Sequence, residues 1–482
     1  MRVLLIRPVP RNDRFGLGPF FRTEPLGLEY VAAALERSGH EVTLVDLRFG
    51  RPLEWWVRTV RPRLVGIACM HALEIDDVLE VACRVKRVSP DAFTLVGGHS
   101  AAAYPLPLQE PEVDAIALGD GEAVAVEVAK ALEQSRPISS VPGLLVQAER
   151  GQFFGTATAG PVDLDEVDVP ARHHLDPYRS RYSCLTFRPA WLVETARGCP
   201  YRCSFCSVSM LHGRSYRERS IDAVCRDLAA VGPHVFVADD LFWHHPDRSF
   251  ELARELARRS IRKRWLLVQT RSDTVAARPD LLEAWRPLAK QFDLFLGFEA
   301  PTDAGLDSVL KDSTISRTVD GIRAAREAGY GVTGNFLVDP DWTERDFEQL
   351  WAFVDEHALY RAGYTILTPL PGTTYFEQTR SRIRAAKWAQ FDMHHLLWEP
   401  RVGVERFFEL YCHTWRRSVL NLRGQKRWWA WAREVRPLDV PILMRVLLRT
   451  QEMMKPSRYL ADHRLVETEG GCTARTPRAV AS

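Results

Sequence analysis

Gly198-Cys199-Pro200-Tyr201-Arg202-Cys203-Ser204-Phe205-Cys206 places three thiols within eight residues, spaced C-x3-C-x2-C. Three thiolates at that spacing suit three irons of a [4Fe–4S] cube, and the fourth iron is left without a protein ligand. A structural zinc site is the alternative. Zinc usually takes four ligands in two paired clusters, and no fourth Cys or His stands at a zinc-like distance. His212 is close but follows a different local pattern.

Working outward, an apolar strand pattern, Trp191–Thr195, stands just before the cysteines. Five more follow at Val235–Ala238, Trp265–Gln269, Leu294–Phe298, Val332–Val338 and Tyr364–Thr368, with helical periods between them. Six strand–helix units over 191–385 predict a partial (β/α)6 barrel, which carries its chemistry on the loops after the strands. Residues 386–463 read as a helical C-terminal region rich in arginine and tryptophan, and 464–482 as a disordered tail.

Upstream, residues 1–137 alternate in the same way. Short apolar runs at Val3–Ile6, Val42–Val45, Leu64–Ala68, Phe93–Val96 and Ala115–Leu118 are separated by helical periods such as Ile75, Val78, Ala82, Val85. This predicts an α/β, doubly wound parallel sheet covered on both faces. Its ligands belong at the carboxyl ends of the strands, here 7–24, 69–74, 97–105 and 119–123. The last two contain Gly97-Gly98-His99-Ser100 and Gly119-Asp120-Gly121-Glu122, where glycine permits close backbone approach. A dinucleotide fold would need G-x-G-x-x-G after the first strand. The loop reads Arg7-Pro8-Val9-Pro10-Arg11 instead. Residues 138–190, with Pro142-Gly143, Gly151, Gly155 and Gly160-Pro161, predict a linker with a small hairpin.

Composition narrows the class. At 46% hydrophobic and 26% charged the chain is a folded globular one. A net charge of +2 argues against a nucleic-acid partner. No apolar run reaches membrane-span length, and Met1–Pro8 lacks the features of a signal peptide, so a cytoplasmic protein is expected. Nine scattered cysteines do not form a disulfide framework, and buried structural thiols account best for Cys184, Cys225 and Cys412.

The three-cysteine loop on the first strand of a partial barrel resembles that of the radical S-adenosylmethionine superfamily. The resemblance implies that the open iron binds the amino and carboxylate groups of S-adenosylmethionine, and that one electron breaks a C–S bond to give a 5′-deoxyadenosyl radical. It implies an electron donor such as flavodoxin or ferredoxin. Phe205 then stacks near the adenine. Asp239 and Asp240, ending the second strand, resemble the segment accepting from the methionine ammonium, and Arg271, after the third, suits the methionine carboxylate. Glu299, after Leu296-Gly297-Phe298, resembles the acid near the ribose hydroxyls. Thr368-Pro369-Leu370-Pro371-Gly372-Thr373 resembles the closing turn of the cobalamin-associated branch. No catalytic acid or base is nominated.

The N-terminal region resembles the cobalamin-binding domain that precedes many such barrels, through Pro25-Leu26-Gly27-Leu28, Val96-Gly97-Gly98-His99 and Gly119-Asp120-Gly121-Glu122. The corrin is therefore expected against Gly97, Gly98, His99, Gly119, Gly121 and Glu122. The D-x-H-x-x-G that supplies a lower cobalt ligand is absent; the domain holds only His40, His71 and His99. Phe21–Glu29, Gly97-Gly98-His99-Ser100, Gly213-Arg214-Ser215-Tyr216-Arg217, Ile261-Arg262-Lys263-Arg264 and Asp339-Pro340-Asp341-Trp342 are similar to the hopanoid C-3 methylase family. That resemblance implies methyl transfer from the corrin to an unactivated carbon of a polycyclic lipid. The alternatives are a radical enzyme using cobalamin for rearrangement, cyclisation or oxidation, and a non-catalytic cobalamin or iron–sulfur sensor. Lys426–Arg433 interleaves tryptophan with basic residues, a pattern for peripheral membrane contact or for a helix packed on the barrel.

Overall fold

A computed structural model describes residues 1–10, 21–149, 151–184, 186–384, 387–419 and 440–469. Its first sheet has seven strands among the described residues. Their order is Glu41–Asp46, Arg2–Arg7, Leu64–Ala68, Phe93–Gly97, Ala115–Ala117, Leu144–Glu149 and Gln152–Gly155. The first five are parallel. Leu64–Ala68 is buried throughout, as an apolar run covered on both faces must be. Alternate residues feed two cores. Val3, Leu5 and Leu44 pack under helices Leu26–Arg37 and Gly121–Glu133. Leu4, Ile6, Val65 and Ile67 pack under Leu53–Val60 and Ile75–Val88. The sheet is thus doubly wound, and its strand order reverses between Arg2–Arg7 and Leu64–Ala68, where open α/β sheets bind their ligands.

The hairpin expected inside the linker is Leu144–Glu149 with Gln152–Gly155. It pairs antiparallel with Ala115–Ala117 and forms the edge of the first sheet. The rest of the linker also lies on its neighbours. Ser183–Cys184 pairs with Phe21–Arg22, and Tyr182 donates to Asp46 Oδ2 at 3.1 Å. Phe187 stacks on Trp265 at 4.3 Å.

The second sheet has six parallel strands in sequence order: Trp191–Val193, His234–Val237, Lys263–Thr270, Ala289–Glu299, Gly331–Val338 and Gly363–Ile366. It curls into an open partial barrel. Leu266 and Val268 point out into the core beneath the helices, whereas Trp265 and Leu267 point inward beside Phe187 and Phe295. The fourth strand starts five residues before the expected Leu294. Its early residues hide polar partners: Asp293 accepts from Trp265 Nε1 at 2.7 Å and Gln291 Nε2 at 2.9 Å.

Helices Val404–Val419, Val440–Met453 and Pro456–Glu469 follow the barrel. The last runs into the stretch expected as a tail; 470–482 and the basic–aromatic stretch 426–433 lie outside the described residues. The segment after the last strand crosses back, so that Phe376, Phe391, Leu397 and Trp398 complete one core of the first domain. Among the described residues no helix is long and apolar enough to cross a membrane.

Candidate active site

The three cysteines lie on a loop closed at its base by an antiparallel pair, Ala196–Arg197 with Arg217–Glu218. Gly198 begins the loop at φ +91°, and a Cβ there would come within 2.3 Å of Ser215 O. Only glycine fits. Ser204 N donates to Val309 O at 3.0 Å and Ser204 O accepts from Tyr375 N at 2.9 Å, which holds the loop over the barrel mouth. Cys199, Cys203 and Cys206 are free thiols, each half-buried. Burial pushes all three pKa values up, that of Cys206 to about 12. A soft cation at the loop centre is what would convert such thiols to thiolates, so the donor set fits an iron–sulfur cluster.

The barrel residues expected around this loop are present, but several are already engaged. Asp239 is buried and accepts from Thr195 N at 2.6 Å and Thr195 Oγ1 at 2.5 Å. Burial pushes its pKa up to about 7. Asp240 accepts from Gly198 N at 3.0 Å. Both carboxylates thus hold the root of the cysteine loop. Arg271 forks onto Asp273, at 2.7 Å from Nη2, and donates to Lys311 O and Asp312 O. Its guanidinium lies 3.8 Å over the Tyr201 ring, a cation–π contact. These contacts fix it beneath the loop. Phe205 is half-buried beside Cys206.

Glu299 ends the fourth strand in the left-handed region, φ +56°, after a register shift at Gly297. It accepts from Lys311 Nζ at 2.6 Å, and both groups are buried. Burial works against the Lys311 ammonium, but Glu299 and the neighbouring Cys203 together raise its pKa. A Cβ at Gly297 would lie 2.3 Å from Glu299 Oε1 and 2.6 Å from Lys311 Nζ, so the backbone gives way to this pair. No sequence pattern singled out Lys311, because its partner lies on another element twelve residues away.

The first domain meets the loop from above. Gly98, φ +114°, lies where a Cβ would be 2.7 Å from Cys69 O. The turn it makes starts the short helix His99–Ala103. His99 Nε2 is 2.8 Å from Ser207 Oγ, next to Cys206. Gly97 and Gly119 flank the same edge, and a Cβ on Gly119 would meet nothing within 4 Å. Gly121 opens helix Gly121–Glu133 against Val31. Glu122 pairs with Arg197 at 2.6 Å, and Asp120 pairs with Arg197 and Arg217 at 3.0 Å each. These pairs tie the two domains at the base of the cysteine loop. Arg197 escaped the sequence reading, and its adjacency to Gly198-Cys199 is the one signal that could have marked it.

The last barrel loop completes the enclosure. A Cβ on Gly372 would stand 2.7 Å from Ala103 O and 3.3 Å from Met210 Cε. Around this junction Met70, Leu118 and Met210 keep 45%, 36% and 42% of their surface exposed. Apolar side chains beside glycines at a sheet's carboxyl edge fit a large flat ligand.

Comparison with known proteins agrees with this architecture. Residues 20–129 match the B12 binding domain family and 193–354 the radical SAM superfamily. The hopanoid C-3 methylase of Methylococcus capsulatus is 31% identical over 96% of this chain and 90% of that protein. An anaerobic magnesium-protoporphyrin IX monomethyl ester cyclase of Rubrivivax gelatinosus is 27% identical over 83% of this chain and 74% of its own. The fold is shared with OxsB, solved with aqua-cobalamin and S-adenosylmethionine, at TM-score 0.69, 16% identity and 99% coverage of this chain against 76% of that one. It is also shared with the methyltransferase TsrM of Kitasatospora setae, at TM-score 0.61, 22% identity, and 80% and 77% coverage. The cofactors are a [4Fe–4S] cluster, S-adenosylmethionine and cobalamin. With a cobalamin-type sheet docked by buried ion pairs over a three-cysteine barrel loop, and identity running the length of both chains, this protein belongs to the cobalamin-dependent radical S-adenosylmethionine methyltransferases, the family of the hopanoid C-3 methylase.

Proposed function

We propose that this enzyme methylates an unactivated carbon of a polycyclic lipid, specifically C-3 of a hopanoid. The observation that carries the proposal is the 31% identity to the hopanoid C-3 methylase across 96% of the chain. The apolar Met70, Leu118 and Met210 at the junction of the two domains support it, since a lipid needs apolar walls.

In this reading Cys199, Cys203 and Cys206 hold the cluster, and Phe205 lies against the adenine. Glu299, fixed by Lys311, faces the ribose. Asp239, Asp240 and Arg271 are positioning residues that stiffen the loop through Thr195, Gly198 and Tyr201. The corrin rests on Gly97, Gly98, His99 and Gly119, with Gly121 and Glu122 keeping the last loop docked. When bound, the reduced cluster with S-adenosylmethionine supplies a radical that removes hydrogen from the substrate carbon, and the corrin supplies the methyl group. The chain's own work is to enclose that carbon and exclude water between the two sheets. A small reductase of the flavodoxin or ferredoxin class delivers the electron. The lipid is met by a cytoplasmic protein with peripheral membrane contact through residues 426–433.

A second reading, radical cyclisation or oxidation, is favoured by the likeness to the anaerobic ester cyclase. One experiment separates them. The holoenzyme is reduced anaerobically with methyl-deuterated S-adenosylmethionine and diploptene, and products are read by mass spectrometry. A deuterated methyl on the hopanoid, with deoxyadenosine and S-adenosylhomocysteine formed together, is the expected result. Deoxyadenosine with no methylated hopanoid discards this substrate. No deoxyadenosine from the loaded enzyme would point to a sensor, against which the three-cysteine loop argues.

A further inference from the structure

On the far edge of the first domain, Glu36, His173 and His174 converge. Glu36 is the next-to-last residue of helix Leu26–Arg37, and the histidines stand near the start of the 3-10 segment Arg172–Arg181. Both Nε2 atoms point at one oxygen, Glu36 Oε1, from 3.2 Å for His173 and 2.8 Å for His174. One ligand atom from each residue lies within 4.8 Å of the others, and the two rings are 4.2 Å apart. Consecutive residues in a three-residue turn normally point about 120° apart, so convergence of two neighbouring imidazoles on one carboxylate is unusual.

From this geometry we propose that Glu36, His173 and His174 bind a divalent cation of the zinc class, which clamps the interdomain segment to the first domain. Two neutral imidazoles and one carboxylate are a common zinc donor set, and three protein ligands leave a position for water. Metal–ligand bonds of about 2.0–2.1 Å put donor atoms about 3.3 Å apart, close to the separations already present. His173 is 62% exposed along its side chain, which gives an ion its entry path.

The site stands apart from the cofactors. Helix Leu26–Arg37 leaves the carboxyl edge of the sheet and returns to the start of Glu41–Asp46, and its twelve residues span about 18 Å. The ion would therefore be structural. Beside it, Ala171 N donates to Glu29 O, and Arg172 pairs with Asp227 of the barrel at 2.6 Å. A clamp at His173 and His174 thus secures the segment through which the two domains are joined.

The test uses tag-free holoenzyme with its cluster loaded and chelator-washed. Zinc is titrated against a chromophoric chelator while iron content is followed. The expected result is one zinc per chain without loss of iron, weakened at least about tenfold by His173→Ala and by Glu36→Gln, with deoxyadenosine formation unchanged. The exposed His173 makes its variant safe for folding. A zinc-induced rise in melting temperature should appear in the wild type and vanish in His173→Ala. Equal zinc affinity in wild type and variants, or no zinc bound by the wild type, would overturn the proposal.

Discussion

Replacing Arg197 by Met removes the one guanidinium that reaches three carboxylates at the base of the cysteine loop. Arg197 donates to Glu122 at 2.6 Å, Glu194 at 2.8 Å and Asp120 at 3.0 Å, and is itself buried. A charge-assisted hydrogen bond contributes about 1.5–3 kcal/mol, but bonds to one group do not add. The better guide is the loss of one partner from a buried ionic cluster, which costs about 3–5 kcal/mol because the remaining charges stay desolvated. Asp120 keeps Arg217 at 3.0 Å, so the lower end applies, about 3 kcal/mol. The assay is urea unfolding of wild type, Arg197→Met, Glu122→Gln and the double variant, with corrin affinity measured alongside. The double variant should be less destabilised than the sum of the singles, by about 1–3 kcal/mol. Corrin affinity should fall because Gly119–Gly121 is no longer held. A loss under about 1 kcal/mol for Arg197→Met, or strict additivity, would refute the reasoning and assign domain docking to apolar packing through Phe376 and Trp398 instead.

Gly198→Ala forces a Cβ to within 2.3 Å of Ser215 O at φ +91°, a strain of about 1–3 kcal/mol. Iron and sulfide retained per chain after reconstitution should drop roughly tenfold or more at limiting iron, and full retention would show that the loop relaxes freely. His395 stands between Asp392 and Asp462; burial opposes its charge, but the carboxylates raise its pKa from 6.5 to about 9. Because the folded value is the higher one, its stabilisation is complete below about pH 6.5 and is lost as pH rises through 9. The melting-temperature gap between wild type and His395→Gln should therefore shrink between pH 6.5 and 9.5, and a constant gap would contradict the charged pairing. Deleting residues 425–433 should weaken co-sedimentation with anionic liposomes, and unchanged binding would remove the membrane contact.

Both sheets were legible because their strands are apolar runs bounded by helical periods, and burial on two faces writes itself into consecutive residues. Leu64–Ala68 is buried at every position, as its sequence required. The exceptions are strands whose partners are polar. Ala289–Asp293 escaped because Asp293 answers Trp265 on the neighbouring strand and Gln291 on its own. The hairpin Leu144–Gly155 was visible, but not the sheet to which it adds its edge.

The same division runs through the site. Sequence alone determined the three-cysteine loop, the strand ends that surround it, and the glycines at Gly98 and Gly198, since local spacing and backbone sterics are encoded within a few residues. Tertiary structure alone decided that Glu122 pairs with Arg197, that Asp239 and Asp240 brace the root of the loop, and that Lys311 holds Glu299. A charge in the sequence carries no address for its partner. Asp120 and Arg197 lie 77 residues apart, and which carboxylate a buried cation answers is settled only when the two domains close and leave no water to answer it instead.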